Sequence, residues 1–369
     1  MAVGLLETPE AIAAFRSELL AWYRAHRRQP AWRQSRDPYR IWISEIMLQQ
    51  TRVEQMDEYF ARFLCAFPTV HDLAGASEDQ VLKAWEGLGY YARARNLHKA
   101  AKQIAAQGGQ LPDTYEGLLA LPGIGPYTAA AVSSIAFDRD HPVLDGNVER
   151  VLCRLLCVEE APRKTAVKAR LIAAGEKLLA PGQAGDFNQG MMELGARVCT
   201  PAKARCGECP VATHCRAFGE LDDPAVLPRK APRKPRPHYQ VAAGLIWKGK
   251  KLLIAQRPSD GLLGGLWEFP GGKQEEGESL EECLAREIRE ELAIEIEVGE
   301  CLAVVDHGFT HFSITLHAFG ARWRRGEPQA LGCAAWRWVR PGELAQYAFS
   351  RADRGIIEEL DLPHTGDRA

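Results

Sequence analysis

Nine residues constrain this chain more than any others: Leu121-Pro-Gly-Ile-Gly-Pro-Tyr-Thr-Ala129. Segments of helical character lie on both sides, and Pro126 stands where proline favours the first turn of a helix. Two glycines two residues apart permit a tight turn whose backbone N–H groups point outward. With the N-terminus of the following helix they make a ready anion site, suited to a nucleic-acid phosphate. A Gly-x-Gly that falls between helices rather than after a strand argues against a dinucleotide fingerprint.

This helix–hairpin–helix pattern sits inside a long helical stretch. Residues 9–28 read as an amphipathic helix with Ile12, Phe15, Leu19, Leu20 and Trp22 on one side, broken by Gln29-Pro-Ala-Trp-Arg33. Asp37-Pro-Tyr-Arg leads into Ile41 to Thr51, a helix that Asp37 or Ser44 could cap and that would turn Ile41, Met47 and Leu48 to a core. Glu45 lies among its apolar neighbours, although a helical Glu ordinarily faces solvent. Further helices are expected near 53–65, 78–87, 93–106, 114–120, 164–180 and 186–198. Gly87-Leu-Gly-Tyr-Tyr91 interrupts them, and its two tyrosines, taken alone, read as core. In Val143-Leu-Asp-Gly-Asn-Val148, Asp145 opens a helix as an N-cap and Asn147 suits a cap or a phosphate contact.

Four of the ten cysteines fall within 17 residues, as Cys199-x6-Cys206-x2-Cys209-x5-Cys215. The other six are scattered in mostly apolar contexts and read as small buried thiols. The chain has no run of 18 apolar residues and no basic-then-apolar leader, so a cytoplasmic, nucleoid-associated protein without a signal peptide is expected. There, a cysteine cluster suggests metal rather than disulfides. Thiolates suit zinc or an iron–sulfur cluster; four-cysteine zinc sites usually come as two close pairs, and the single close pair here favours [4Fe–4S].

The net charge of −2 conceals an asymmetry. Residues 238–369 hold 15 Lys and Arg against 21 Asp and Glu, which leaves 31 against 27 in residues 1–237. A mildly basic first part can hold a phosphate-binding face without proving one. Residues 220–238 are rich in proline and basic charge and read as an extended linker. After it the periodicity changes. Strands at Val241–Ile246 and Leu252–Ala255 flank Lys248-Gly-Lys250; a helix follows at Leu280–Leu292, then strands at 294–305, 311–323 and Trp336–Val339, and a closing helix. The expected fold is a mainly α part over residues 1–219, with a cluster module at 199–215, joined by the 220–238 linker to an α+β domain over 239–369.

Residues 10–217 resemble the helix–hairpin–helix DNA glycosylases that carry an iron–sulfur cluster, through the Leu121–Ala129 hairpin, Asp145 and the cysteine spacing. Within that superfamily the chain resembles the A/G-specific adenine DNA glycosylases, the MutY family. Ser44-Glu-Ile-Met-Leu-Gln-Gln-Thr51 matches that family's catalytic-acid segment. Tyr127 stands where glycosylase–lyases of the endonuclease III type carry a Schiff-base lysine, so no amine nucleophile is available. A MutT-like, Nudix-type domain follows the cluster.

The resemblance implies a monofunctional glycosylase of base excision repair, which hydrolyses the bond to adenine mispaired with 8-oxoguanine or guanine in duplex DNA. The adenine must leave the stack to be reached. Glu45 would be the general acid, Asp145 the stabiliser of the sugar cation and Tyr127 their support. Trp32, Arg33, Leu48 and Gln189 would bind the base. Gln50, Thr51, Tyr90, Gly123, Gly125 and Asn147 would contact the DNA, with Gln50 filling the gap and Tyr90 wedging beside the lesion. Phe309, Thr310 and His311 would recognise 8-oxoguanine, with Thr310 where the family often has serine. Cys199, Cys206, Cys209 and Cys215 would hold a structural [4Fe–4S] cluster. The protein is expected to act as a monomer, with duplex DNA as partner and no membrane.

Gly272-x5-Glu278-x7-Arg286-Glu-Ile-x-Glu290-Glu291-x-Ala293-Ile294 is nearly a complete Nudix box, departing only at Ala293, where glycine is usual. Retained metal binding or nucleotide diphosphatase activity is therefore one alternative, through Glu287, Glu290 and Glu291. Another is an endonuclease III-like glycosylase–lyase for oxidised pyrimidines, against which Tyr127 argues. A non-catalytic lesion binder is disfavoured by the intact carboxylates.

Overall fold

The computed structural model describes residues 6–49, 56–229 and 235–362. The chain divides into two compact units, Met1–Ala74 with Lys99–Arg233, and Gly75–His98 with Lys234–Ala369.

The first unit is helical, and local signals set most of its boundaries. Thr8 caps the Pro9–His26 helix by accepting from the Ala11 N–H, and Pro9 opens it. Asp37 caps the Pro38–Leu48 helix by accepting from Tyr39 N at 2.8 Å and Arg40 N at 3.3 Å; Ser44, the other candidate, instead bonds back to Ile41 O inside the helix. The first helix buries Ile12, Phe15, Leu19, Leu20 and Tyr23. Trp22, expected on that face, is only half-buried, because the i, i+4 step from Leu19 lands on Tyr23. The Val70–Gly75 helix was not foreseen, since six residues are too few to show a period. Phe15, Leu19, Val151, Leu152, Leu171, Phe187 and Leu194 share one apolar core, which fixes the Gly146–Leu155, Thr165–Leu178 and Ala184–Arg197 helices against the first. The Pro126–Phe137 helix is buried from Thr128 through Ser134, so its position is set on nearly every side.

Among the described residues the second unit is built on a sheet of seven strands: β1 (His238–Lys248), β2 (Lys251–Gln256), β3 (Trp267–Glu268), β4 (Gly271–Lys273), β5 (Glu295–Gly308), β6 (Ser313–Arg325) and β7 (Ala335–Val339). The order is β3-β2-β1-β6-β5, with β4 beside β1 and β7 beside β2. β1 and β6 run parallel and the other pairs are antiparallel, so the sheet is mixed. One face packs Leu245, Ile254, Leu316 and Phe349 with Ile356 of the Arg351–Glu359 helix; the other packs Ile246, Leu253 and Phe319 with Leu284 and Ile288 of the Leu280–Leu292 helix. The β1–β2 hairpin turns at Lys248-Gly-Lys250 as expected, with Gly249 at φ +63°.

Gly75–His98 belongs to this second unit. The side chain of Lys83 donates to Tyr347 O (3.0 Å), Phe349 N donates to Glu86 Oε1 (3.1 Å), and Gln256 Nε2 donates to Asp79 Oδ1 (2.9 Å). None of the helices, among the described residues, is long and apolar enough to cross a membrane.

Candidate active site

Glu45 sits midway along the Pro38–Leu48 helix between the fully buried Ile43 and Met47, and it is itself only 4% exposed. The facing element is the Pro126–Phe137 helix, whose second residue, Tyr127, donates its hydroxyl to Glu45 Oε2 at 2.7 Å. Burial raises the Glu45 pKa, opposed by the Tyr127 hydrogen bond and the Arg33 charge. Burial likewise drives Tyr127 well above its ordinary value, with the Glu45 charge adding to it, so the phenol stays protonated and remains a donor.

Asp145 is the N-cap of the Gly146–Leu155 helix, and Oδ1 accepts from Val148 N at 2.7 Å. Oδ2 accepts from Asn147 Nδ2 at 3.0 Å. Burial raises its pKa; the bonds from Val148 and Asn147 and the Arg150 charge oppose this. Asn147, read as a cap or a phosphate contact, lines the cavity beside Asp145, and its Oδ1 accepts from Arg150 Nη2 at 2.9 Å. Arg150 continues the chain of contacts, donating Nε to Cys199 O at 2.7 Å and Nη2 to Gly195 O at 2.7 Å.

Each of these acids lines a cavity. One, of about 540 Å³, is lined by Trp32, Arg33, Glu45 and Gln189 among others. Trp32 is 3% exposed and its indole Nε1 is buried without a partner among the described residues, a donor left over for an occupant. Gln189 lines this cavity, with its amide nitrogen bonded to Gly185 O. The second cavity, of about 940 Å³, is lined by Gly123, Gly125, Pro126, Tyr127, Asp145, Gly146 and Asn147. Leu48, the last residue of the Glu45 helix, lines this second cavity, whereas Trp32, Arg33 and Gln189 line the first. Tyr127 thus lines one cavity and hydrogen-bonds the acid of the other.

The hairpin forms the wall of the larger cavity. Gly123 holds φ +75°, which a side chain would strain, and a Cβ on Gly125 would meet nothing within 4 Å. Gly125 caps the Pro126–Phe137 helix with no side chain of its own, which leaves first-turn N–H groups to an incoming anion. Gln49 Nε2 donates to Thr128 Oγ1 at 2.9 Å and ties the end of the Glu45 helix to this one. Gln50 and Thr51 lie outside the described residues.

Cys199, Cys206, Cys209 and Cys215 line one small cavity with Arg154, Val198 and Phe218. Arg154 donates Nη1 toward Cys199 Sγ at 3.2 Å, while its buried Nη2 has no partner among the described residues. Burial pushes Cys209 up to about 12 and Cys215 up to about 11, so these thiols ionise only against a positive partner. Four thiols and an orphaned guanidinium N–H on one cavity fit a cluster with thiolate ligands and sulfide acceptors. No group of three or more His, Cys, Asp or Glu among the described residues is arranged to hold a metal ion as it stands.

In the second unit, Tyr90 is 45% exposed at φ +48°, whereas Tyr91 is buried, so the core reading holds for only one of the two. The Tyr90 hydroxyl is hydrogen-bonded to Thr310 Oγ1 at 2.5 Å. Thr310 and His311 are exposed at the tip of the β5–β6 hairpin, and Phe309 stacks on Phe312 at 4.6 Å. The structure therefore brings together Tyr90 and the Phe309–His311 loop, 220 residues apart in sequence for the bonded pair. In the Nudix-like helix, Arg286 pairs with Glu278 (2.8 Å), Glu287 (3.0 Å) and Glu290 (3.2 Å), and Ala293 adopts φ +55° where glycine would be unstrained.

Comparison with known proteins bears directly on this arrangement. Residues 43–176 match the HhH-GPD superfamily of base excision DNA repair proteins, and residues 242–359 match the NUDIX domain. The adenine DNA glycosylase of Homo sapiens is 34% identical over 403 residues, covering 94% of this chain and 74% of the relative. The chain belongs to the adenine DNA glycosylase (MutY) family. The Mus musculus family member is 35% identical over 416 residues, covering 97% and 80%. The solved structure of a thermostable thymine-DNA glycosylase aligns with a TM-score of 0.52 at 28% identity, covering 57% of this chain and 97% of that one. As a family member the chain is a DNA glycosylase of base excision repair, with a helical HhH-GPD part and a Nudix-like α/β part.

One group in this site escaped the sequence reading. Glu193 is 1% exposed and receives Arg28 and Arg33, both of which line the smaller cavity. The signal was available: Met191-Met-Glu-Leu194 places one acid among apolar residues, as around Glu45, and one turn beyond Gln189.

Proposed function

We propose that this enzyme is a monofunctional glycosylase that hydrolyses the N-glycosidic bond of adenine opposite 8-oxoguanine, or guanine, in duplex DNA. One observation carries the reading: the phenol of Tyr127, standing where a Schiff-base lysine would be needed for lyase chemistry, is hydrogen-bonded to a buried carboxylate. A buried Glu45, its pKa raised by burial, in a cavity wide enough for a base supports protonation of the leaving adenine by this acid. Trp32, Arg33 and Gln189 would hold the flipped base there; the unpartnered Trp32 indole supplies one donor. Adenine leaves readily only when protonated, and the sugar then develops positive charge.

Asp145 meets that charge from the larger cavity, as an ion or a transient nucleophile. Two carboxylates of different environment divide the acid and stabilising roles, as in glycoside hydrolysis. Asp145 is held by Val148 N and Asn147, so it reaches the sugar without reorganising. Tyr127 touches the acid and lines the cavity of the stabiliser, which suits a support to both. Gly123, Gly125 and the first turn of the Pro126–Phe137 helix would take a phosphate and set the sugar over Asp145, with Leu48 at the wall of the same cavity.

The four cysteines would hold a [4Fe–4S] cluster, which when bound supplies a rigid, charged anchor and no step in hydrolysis. Arg150 connects the Cys199 carbonyl to Asn147 and so to Asp145, and the loop bears on the catalytic carboxylate through side chains of this chain alone. Tyr90, hydrogen-bonded to Thr310 beside Phe309 and His311, would read the base opposite: an aromatic wedge next to hydroxyl and imidazole donors suits 8-oxoguanine. Incubation with duplexes bearing adenine opposite 8-oxoguanine tests the reading. Free adenine without strand cleavage is expected, and strand cleavage trapped by borohydride as a protein–DNA adduct would refute it.

A further inference from the structure

Glu193 lies behind the wall of the smaller cavity, on the Ala184–Arg197 helix one turn after Gln189. Arg28 grips it in a fork, Nε to Oε1 at 2.7 Å and Nη2 to Oε2 at 2.9 Å. Arg33 donates Nη1 to Oε2 at 3.3 Å, and Arg197 Nη1 stands 3.6 Å from Oε1. Burial pushes this carboxyl up, but the arginine bonds and charges outweigh it and hold the group below the ordinary range. A carboxylate so buried is not a solvated surface acid, and three guanidinium groups around one acid exceed what neutralising it requires.

Arg28 and Arg33 bracket the Gln29-Pro-Ala-Trp32 turn, so one carboxylate pins both ends of the loop that carries Trp32. Arg33 is also the cation whose charge bears on Glu45 and Tyr127. One guanidinium therefore bears on both buried acids, by a hydrogen bond to Glu193 and by its charge on Glu45, with which it lines the smaller cavity. An Arg33 released from Glu193 would have Glu45 as its alternative partner, and pairing with a guanidinium would hold Glu45 as the anion and remove the acid. The charged and titratable groups facing Glu45 are Tyr127 from the Pro126–Phe137 helix, Arg33 from the loop and Asp145 from the neighbouring N-cap. Arg27, Arg36 and Asp186 complete the charge around the cavity.

We propose that Glu193 is a positioning residue for base excision: it clamps Arg28 and Arg33, fixes the Trp32 turn against the Gln189 helix, and keeps Arg33 from pairing with Glu45. This rests on Glu45 being the general acid. The test is single-turnover adenine release from an adenine:8-oxoguanine duplex as a function of pH, with the full chain and its cluster. Glu193→Gln is expected to keep its fold and duplex affinity, to release adenine about 10–100-fold more slowly at neutral pH, and to lose activity at lower pH on the alkaline limb than the wild type. Adding Arg33→Gln to that variant removes the competing cation and is expected to return the limb to its wild-type position or above. Glu193→Asp keeps the charge but shortens the reach to the longer Arg33 bond, so its limb moves the same way by less; it decides the matter if Glu193→Gln does not fold. A wild-type rate, or a rate loss equal at every pH with the limb unmoved, overturns the proposal. Glu45→Gln is run beside these: full adenine release by that variant would sink the assignment of the acid rather than the clamp.

Discussion

Replacing Tyr127 by phenylalanine removes one atom and leaves the packing of the Pro126–Phe137 helix intact. The lost hydroxyl donates to Glu45 Oε2 at 2.7 Å, an ordinary length for an O–H···O bond and within the range for one to an ionised carboxylate. Such bonds contribute about 1.5–3 kcal/mol and favour the carboxylate over the acid. At about 1.4 kcal/mol per tenfold, Tyr127→Phe shifts the Glu45 protonation equilibrium toward the acid by about ten- to hundredfold. The sign follows from the chemistry. Burial already raises Glu45, the Tyr127 bond opposes that rise, and catalysis uses the protonated form. Activity present at low pH and lost as pH rises through the Glu45 pKa should therefore persist to higher pH in the variant. Single-turnover adenine release from pH 5 to 9.5, with melting curves to confirm an unchanged fold, measures the limb. An alkaline limb that stays in place, or that moves to lower pH, would refute the coupling of this phenol to the acid.

Glu45→Gln should cut adenine release by at least about 100-fold. It should also raise Tm at neutral pH by a few degrees, because a buried acid whose folded pKa is raised costs stability as pH climbs above its unfolded value; the gain should vanish near pH 4, read by calorimetry. Asp145→Asn keeps an equally good helix cap, so Tm should hold while single-turnover adenine release falls by at least about 100-fold; parallel loss of both would reduce Asp145 to a cap. Cys209→Ala should lower iron content and the visible absorbance of the purified protein and weaken duplex binding in a gel-shift assay. Thr310→Ala, which removes the partner of the Tyr90 hydroxyl, should narrow the preference for 8-oxoguanine over guanine by about 2–10-fold, measured as the ratio of excision rates on the two duplexes.

The hairpin, the Asp145 cap and the cysteine spacing were legible because each is a local pattern: a turn needs glycine at φ > 0, a cap needs a short acceptor, and a cluster needs thiols in one loop. The burial of Glu45 was not readable from its helix alone, since the apolar neighbours that hide it also occur around solvent-facing acids; the Pro126–Phe137 helix decides it. The surroundings of Leu48 and Asn147 were not readable for the same reason. Their helices were right, but which cavity Leu48 meets and which partner Asn147 takes depend on packing across the unit. The grouping of Gly75–His98 with the C-terminal sheet rests on bonds such as Lys83 to Tyr347, 264 residues apart, which no local period reports. Glu193 was missed because its meaning lies in Arg28 and Arg33, 165 and 160 residues earlier.

The central claim, hydrolysis of adenine by Glu45 and Asp145 without a Schiff base, is tested most directly by giving the purified chain two duplexes, one with adenine opposite 8-oxoguanine and one with thymine glycol. Release of free adenine from the first, with the strand left intact until treated with base and the second duplex untouched, is the predicted result. Excision from the thymine-glycol duplex alone, or a borohydride-trapped covalent adduct, would contradict it.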